Sequence, residues 1–247
     1  MRPSRLLVAS GAGAIAGGVF LHTVPGLATL RRFRCAVLPS LSGVGNPGHV
    51  ALTFDDGPDP ASTPQFLDTL DALGWTATFF LLGTQVCRNP ELAAEVARRG
   101  HEIGVHGYRH DNHLLRSARW TRSDLRRAVD VVGEATSQTP TWFRPPYGAL
   151  AASSLVAARD QHLPIVLWTS WGRDWRDAAT AQSVVSDIKD SWRAGATVLL
   201  HDSDITSAPR SWSAALEALP ILAERWSAEG LTVGPLAEHG IIGRGIS

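Results

Sequence analysis

From about His49 onward the apolar positions follow two alternating rhythms. Short runs of β-branched and aromatic residues occur at Val50 to Phe54, Ala77 to Leu82, Glu102 to Val105, Trp142 to Arg144, Pro164 to Trp168, Thr197 to His201 and Leu231 to Val233. These read as strands. Between them, apolar residues recur at helical spacing over Thr63 to Leu73, Glu91 to Arg99, Thr121 to Thr136, Ser153 to Arg159, Thr180 to Ala194 and Ser213 to Ala228. Strand and helix in strict alternation predict an α/β chain with a largely parallel sheet or barrel. Seven strand segments, against the eight of the regular form, predict a distorted, incomplete (β/α) barrel. Within the third helix, Asp124, Arg126 and Arg127 alternate with Leu125, Val129 and Val132, which predicts a solvated face carrying those three charges.

The polar residues sharpen this picture, because they gather just after the strands. Asp55-Asp56-Gly57-Pro58 follows the first, His106 and His110 the third, Arg144 to Gly148 the fourth, Asp174-Trp175 the fifth, and His201-Asp202 closes the sixth. The C-terminal ends of barrel strands are where such folds place their chemistry. Two adjacent carboxylates at the end of an apolar strand repel one another and invite a cation, although Asp-Asp-Gly-Pro is equally ordinary turn chemistry. Two histidines four apart can converge on one ion. With a carboxylate from another strand end they leave coordination positions open, the pattern of a catalytic zinc site.

Composition narrows the function. Lys and Arg total 23, as do Asp and Glu, so no basic field exists to attract nucleic acid. Nine tryptophans suit stacking on sugar rings, although most are expected in the core. Cys35 and Cys87 stand in no metal or redox spacing, so a zinc site would use His and carboxylate ligands; the two thiols are expected unpaired. At the N-terminus, Arg2 and Arg5 precede an uncharged stretch from Leu6 to Leu30, followed by Arg31, Arg32 and Arg34. That arrangement resembles a signal peptide or weak membrane anchor and implies an extracytoplasmic protein, secreted or anchored through this segment. A turn-rich linker, Pro39 to Gly48, is expected to separate residues 1–48 from a folded domain over 49–247.

Thr53-Phe-Asp55-Asp56-Gly-Pro58, His106-x-x-x-His110, Arg144-Pro-Pro-Tyr147-Gly148, Asp174-Trp175 and Leu199-Leu-His201-Asp202 occur in the order found in polysaccharide deacetylases of the NodB-homology type, carbohydrate esterase family 4, which this chain resembles from about Val50 to Val233. The resemblance implies metal-dependent removal of N-acetyl groups from a GlcNAc polymer such as peptidoglycan or chitin. It implies Asp56, His106 and His110 as ligands of a divalent metal, most simply zinc, and Asp55 as general base. Arg144 would orient Asp55, His201 would act as general acid, the Tyr147 backbone N–H would face the oxyanion, and Trp175 and Leu199 would wall the acetyl methyl. His101, His113, His162 and His239 match no motif and are expected to be structural or on the surface.

The chain departs from the family pattern twice. Gly107 stands where a loop-stabilising Ser or Thr usually follows the first histidine, which predicts a looser loop or weaker metal binding. Trp171 stands where many relatives carry the aspartate paired with the acid histidine. Without that carboxylate the pKa of His201 should fall, unless Asp174 substitutes. Two alternatives remain open: the same fold acting on another acyl substrate, such as an O-acetyl ester or a small-molecule amide, or a non-catalytic glycan-binding protein. Some relatives that cleave small-molecule amides act without metal; retention of Asp56, His106 and His110 argues against that branch, and the full set of base, arginine and acid argues against a binding protein.

Overall fold

The structure, a computed structural model, describes residues 31–241. The expected leader over Leu6 to Leu30 lies outside the described residues. All strand pairs are parallel, in the order β4-β3-β2-β1-β6-β5, with β7 also paired to β1. The strands are β1 (His49–Asp55), β2 (Thr78–Leu81), β3 (Glu102–Val105), β4 (Trp142–Phe143), β5 (Ser170–Trp171), β6 (Thr197–His201) and β7 (Thr232–Gly234).

β1 is the axis of the fold. It is buried along its whole length, as a strand covered on both faces must be. One edge pairs with β6; the other takes β7 beside His49 to Ala51 and β2 beside Thr53 to Asp55. This register sets Asp55 level with His201 on β6, so the two side chains emerge beside one another at the same end. Phe54, Phe66 and Phe79 pack ring against ring beneath that end, at centroid separations of 5.1 and 5.0 Å.

Helices cover the outside of the sheet: α1 (Arg31–Val37), α2 (Thr63–Leu73), α3 (Gly83–Arg88), α4 (Pro90–Arg98), α5 (Ala118–Thr136), α6 (Ala152–Asp160), α7 (Ala181–Asp190) and α8 (Trp212–Ala228). Their limits follow local chemistry. α2 carries Pro64 in its first turn and stops at Gly74, whose φ of 66° is the left-handed conformation glycine adopts freely. α5 opens where the Ser117 hydroxyl accepts the Trp120 N–H.

The strand expected over Pro164 to Trp168 does not form. Its backbone groups are engaged elsewhere: the Arg144 guanidinium donates to the carbonyls of Val166 (3.3 Å) and Leu167 (2.8 Å), and Leu167 N–H donates to Leu41 C=O (2.8 Å). Only the bridge from Phe143 to Ile165 remains, and pairing resumes at β5. The barrel is thereby left incomplete between β4 and β5.

Pro39 to Gly48 is not a free linker. Leu41 is buried, Gly45 N–H donates to Gly195 C=O (3.1 Å), and Thr197 Oγ1 donates to Gly43 C=O (2.6 Å). The Arg34 guanidinium, also buried, donates to Trp168 C=O, so the ordered body reaches back at least to this arginine. Helix α3 was not expected, and the helix expected over Thr180 to Ala194 ends at Asp190. Asp124, expected on a solvated face, is buried instead. Cys35 and Cys87 are free thiols. His101, His113 and His239 are buried, whereas His162 is exposed.

Candidate active site

The C-terminal ends of β1, β3, β4 and β6 surround a cleft of about 240 Å³ lined by Asp55, His106, His110, Tyr147, Gly148, Trp168, Trp171, Trp175, Leu199, His201, Thr206 and Ser207. Of the residues assigned a role from the sequence, Asp55, His106, His110, Tyr147, Trp175, Leu199 and His201 line this cleft, and Arg144 and Asp56 lie against Asp55 and His106.

The adjacent carboxylates face different ways because the backbone turns between them. Asp56 adopts a φ of 81°, in the left-handed region that aspartate tolerates better than most residues. Asp55 accepts from Arg144 Nη1 at 2.7 Å. That guanidinium is fully buried, and it also donates to Thr53 Oγ1 (2.9 Å) and the Leu167 carbonyl. Burial lowers its pKa and the Asp55 charge works against that shift. It lies over the Phe80 ring, 4.0 Å from the centroid. Removing this arginine would leave Asp55 as an uncompensated carboxylate in a site that is almost dry.

Asp56 points toward the histidines. Its Oδ2 accepts from Thr206 Oγ1 at 2.6 Å, and its Oδ1 lies 3.6 Å from His106 Nε2 and 3.4 Å from His110 Nε2. Oδ1 is buried and has no hydrogen-bond partner among the described residues. His106 Nδ1 bonds to the Arg144 carbonyl at 2.8 Å, which as a donor bond leaves the Nε2 lone pair free. Burial pushes His106 far below the ordinary histidine pKa, and His110 is lowered for the same reason against the pull of Asp56. Two neutral imidazoles and a carboxylate offer ligand atoms within 4.8 Å of one another. An orphaned buried oxygen beside two free ring nitrogens is the donor set a divalent cation requires, and these residues fit one.

Across the cleft, His201 Nδ1 sits 2.9 Å from Asp174 Oδ1, while its backbone N–H donates to Asp174 Oδ2 at 2.7 Å. The expected fall in the His201 pKa is therefore corrected. Burial does lower it, but the charge and hydrogen bond of Asp174, with smaller contributions from Asp56 and Asp55, raise it to about 10. Trp171 displaces nothing essential, because the carboxylate arrives three residues later. The connection runs through Gly172, which lies against Leu200 and Val184, and Arg173 at a φ of 48°.

Trp171 instead stacks on Trp175 with ring centroids 4.3 Å apart, and Trp175 meets His201 edge-on at 6.1 Å. With Trp168 and buried Leu199 they form an apolar wall. Tyr147 is 60% exposed at the rim, and its ring meets His110 edge-on at 4.3 Å. Its φ of 59° is held within the Pro145-Pro146-Tyr147-Gly148 turn.

Three participants were given no role in the site by the sequence reading. Asp202, buried behind β1, accepts from Gly57 N–H (3.2 Å) and Thr63 Oγ1 (2.6 Å), and a Cβ at Gly57 would collide with it. Burial raises its pKa to about 7. Thr206 holds Asp56, and Asp124 holds the loop between the histidines. Asp202 could have been found from its place in the Leu-Leu-His-Asp motif, but Thr206 and Asp124 carry no local signal.

A parallel, incomplete α/β barrel with a carboxylate, two imidazoles and a second buried carboxylate at one end, faced by an Asp-paired histidine, defines an amide-cleaving hydrolase of the NodB-like class. Residues 42–166 match the family model described as polysaccharide deacetylase, and the chain belongs to that family. Over 160 residues it is 40% identical to a peptidoglycan-N-acetylglucosamine deacetylase of Bacillus cereus, covering 62% of this chain and 72% of that protein. It is 36% identical over 159 residues to the peptidoglycan-N-acetylglucosamine deacetylase PgdA of Listeria monocytogenes, covering 64% of this chain but only 33% of that protein. Among solved structures, the Bc1960 peptidoglycan N-acetylglucosamine deacetylase superposes with a TM-score of 0.74 at 28% identity, over 81% of this chain and 91% of that one.

Proposed function

We propose that this chain is a metal-dependent deacetylase that hydrolyses N-acetyl groups on a GlcNAc-containing glycan, peptidoglycan or a chitin-like oligomer, outside the cytoplasm. The observation that carries this reading is the placement of Asp55, fixed by Arg144, at the same end of adjacent strands as His201, with Asp56, His106 and His110 beside them. Asp56, His106 and His110 would hold a divalent cation, most simply zinc, which when bound lowers the pKa of water and polarises an amide carbonyl.

The chain's own residues supply the rest. Asp55 takes the proton of the attacking water, and its bond to Arg144 Nη1 holds the carboxylate in place for that task. The Tyr147 backbone N–H faces the oxygen that gains charge at the acetyl carbon. His201 gives its proton to the sugar nitrogen as the C–N bond breaks, a step that needs an acid because the amine is a poor leaving group. Asp174 keeps that imidazole charged and sets which nitrogen faces the substrate. Trp175 and Leu199 close around the acetyl methyl, and the exposed Tyr147 ring offers a face to a sugar. An uncharged leader over Leu6 to Leu30 would deliver the chain to the cell wall; among the described residues no helix is long and apolar enough to cross a membrane.

Acetate release from N-acetylglucosamine oligomers and from peptidoglycan, by the full chain with zinc, tests the reading beside Asp55→Asn. Release by the parent chain and its loss in the variant are expected. Equal release by both would remove Asp55 as base. Release only from O-acetyl esters or small amides would move the substrate to another acyl class.

A further inference from the structure

The loop that carries His106 and His110 is held along both edges of its backbone. Gly107 and Tyr108 carbonyls accept from the Gly83 (3.0 Å) and Thr84 (2.9 Å) N–H groups at the start of α3. On the other edge, Tyr108 N–H donates to Asp124 Oδ2 at 2.8 Å and Arg109 N–H to Asp124 Oδ1 at 3.2 Å. Asp124 sits on α5, only 7% exposed. Three residues further along the same helix face, the Arg127 guanidinium lies over the Tyr108 ring, 3.9 Å from its centroid. Gly107 completes the arrangement. It adopts a φ of 92°, and a Cβ there would stand 3.2 Å from Asp124 Oδ2 and 3.1 Å from the Arg109 carbonyl.

A buried carboxylate is costly unless its oxygens are hydrogen-bonded, and both oxygens of Asp124 are used on consecutive amides of one loop. We propose that Asp124 is a positioning residue for the cation site: its carboxylate, reaching in from α5, fixes the loop that aims the Nε2 atoms of His106 and His110 toward Asp56. It replaces, from a different element, the local hydroxyl that Gly107 cannot supply. The inference rests on the reading that those histidines bind a cation. Both Asp124 oxygens are used on amides of residues outside the cleft lining, so it acts on affinity for the ion and not on the chemical step.

Asp124→Asn preserves volume and one acceptor but turns an amide N–H toward a loop N–H. Two readouts apply: zinc affinity, measured with zinc alone against a chromophoric chelator, and hydrogen exchange at the Tyr108 and Arg109 amides of the metal-free protein. The expected result is zinc binding weaker by about tenfold to a hundredfold, as for other outer-shell partners, with faster exchange at both amides. The deacetylation rate should return toward the parent value at saturating zinc. Gly107→Ala crowds the same carboxylate and should weaken zinc in the same way, with the double variant no weaker than the worse single one.

Parent-like zinc affinity in Asp124→Asn, unchanged exchange at the two amides, or additive losses in the double variant would overturn the proposal. If Asp124→Asn does not fold, parent-like zinc affinity in Gly107→Ala does so alone. A parent chain that binds zinc yet releases no acetate would refute the proposed function and leave this inference standing, whereas one that binds no zinc refutes both.

Discussion

Asp174→Asn should move the alkaline limb of the pH–rate profile and leave the acidic limb in place. His201 must be protonated to act as an acid, so a raised pKa extends activity upward in pH. Burial lowers that pKa; the Asp174 carboxylate at 2.9 Å, with smaller contributions from Asp56 and Asp55, outweighs it and brings the value to about 10. Asparagine keeps one of the two oxygens, for the ring or for the backbone N–H, turns its amide N–H toward the other donor and removes the charge, while burial remains. The imidazolium should then lose its proton at or below the ordinary value near 6.5. At pH 8.5 the protonated fraction would drop from about 97% to about 1% or less, a loss in rate on the order of a hundredfold or more, and the loss should shrink steadily as the pH is lowered. A cation on Asp56 cancels part of the pull that this carboxylate exerts on His201 in both proteins alike, so the comparison isolates Asp174. The assay is initial-rate acetate release from pH 5 to 10 at saturating zinc. A variant whose alkaline limb coincides with the parent's, or whose rate falls equally at every pH, would refute the pairing as the source of the acid's strength.

Asp55→Asn should lower acetate release by about a hundredfold to ten-thousandfold while leaving zinc affinity nearly unchanged, because Asp55 is not among the proposed ligands; chelator competition and the acetate assay separate the two effects. Arg144→Met should destabilise the fold by about 3–5 kcal/mol in urea titration, since it strands the Asp55 carboxylate beside a buried apolar chain. Thr206→Val removes the hydroxyl from Asp56 Oδ2 and should weaken zinc about tenfold with little change in unfolding midpoint.

What could be read in the sequence was set by strand ends. Asp55, His106, Arg144 and His201 each lie at or beside the last residue of a strand, so the order of the strands in a parallel sheet is enough to bring them together. The partners that hold them were hidden for particular reasons. Asp174 meets His201 only because Gly172 and Arg173 turn the chain back after β5, and conformation at those two positions has no spacing signature. Asp124 has the neighbours of a solvent-facing helix residue, and only the approach of the 106–110 loop makes its site dry. The misplaced fifth strand has a similar cause: Pro164 to Trp168 has the composition of a strand, but Arg144 and Leu41 take the backbone groups that a ladder would need.

Amide hydrolysis is proposed to depend on one divalent cation held by Asp56, His106 and His110. The most direct measurement strips the full chain with a chelator, removes the chelator, and follows acetate release from an N-acetylglucosamine oligomer as zinc is returned in fractions of an equivalent. No release is expected from the stripped protein, then a linear rise that breaks at one zinc per chain, and no recovery in His106→Ala at the same zinc level. Full activity in the stripped protein, or equal recovery by His106→Ala, would contradict that dependence.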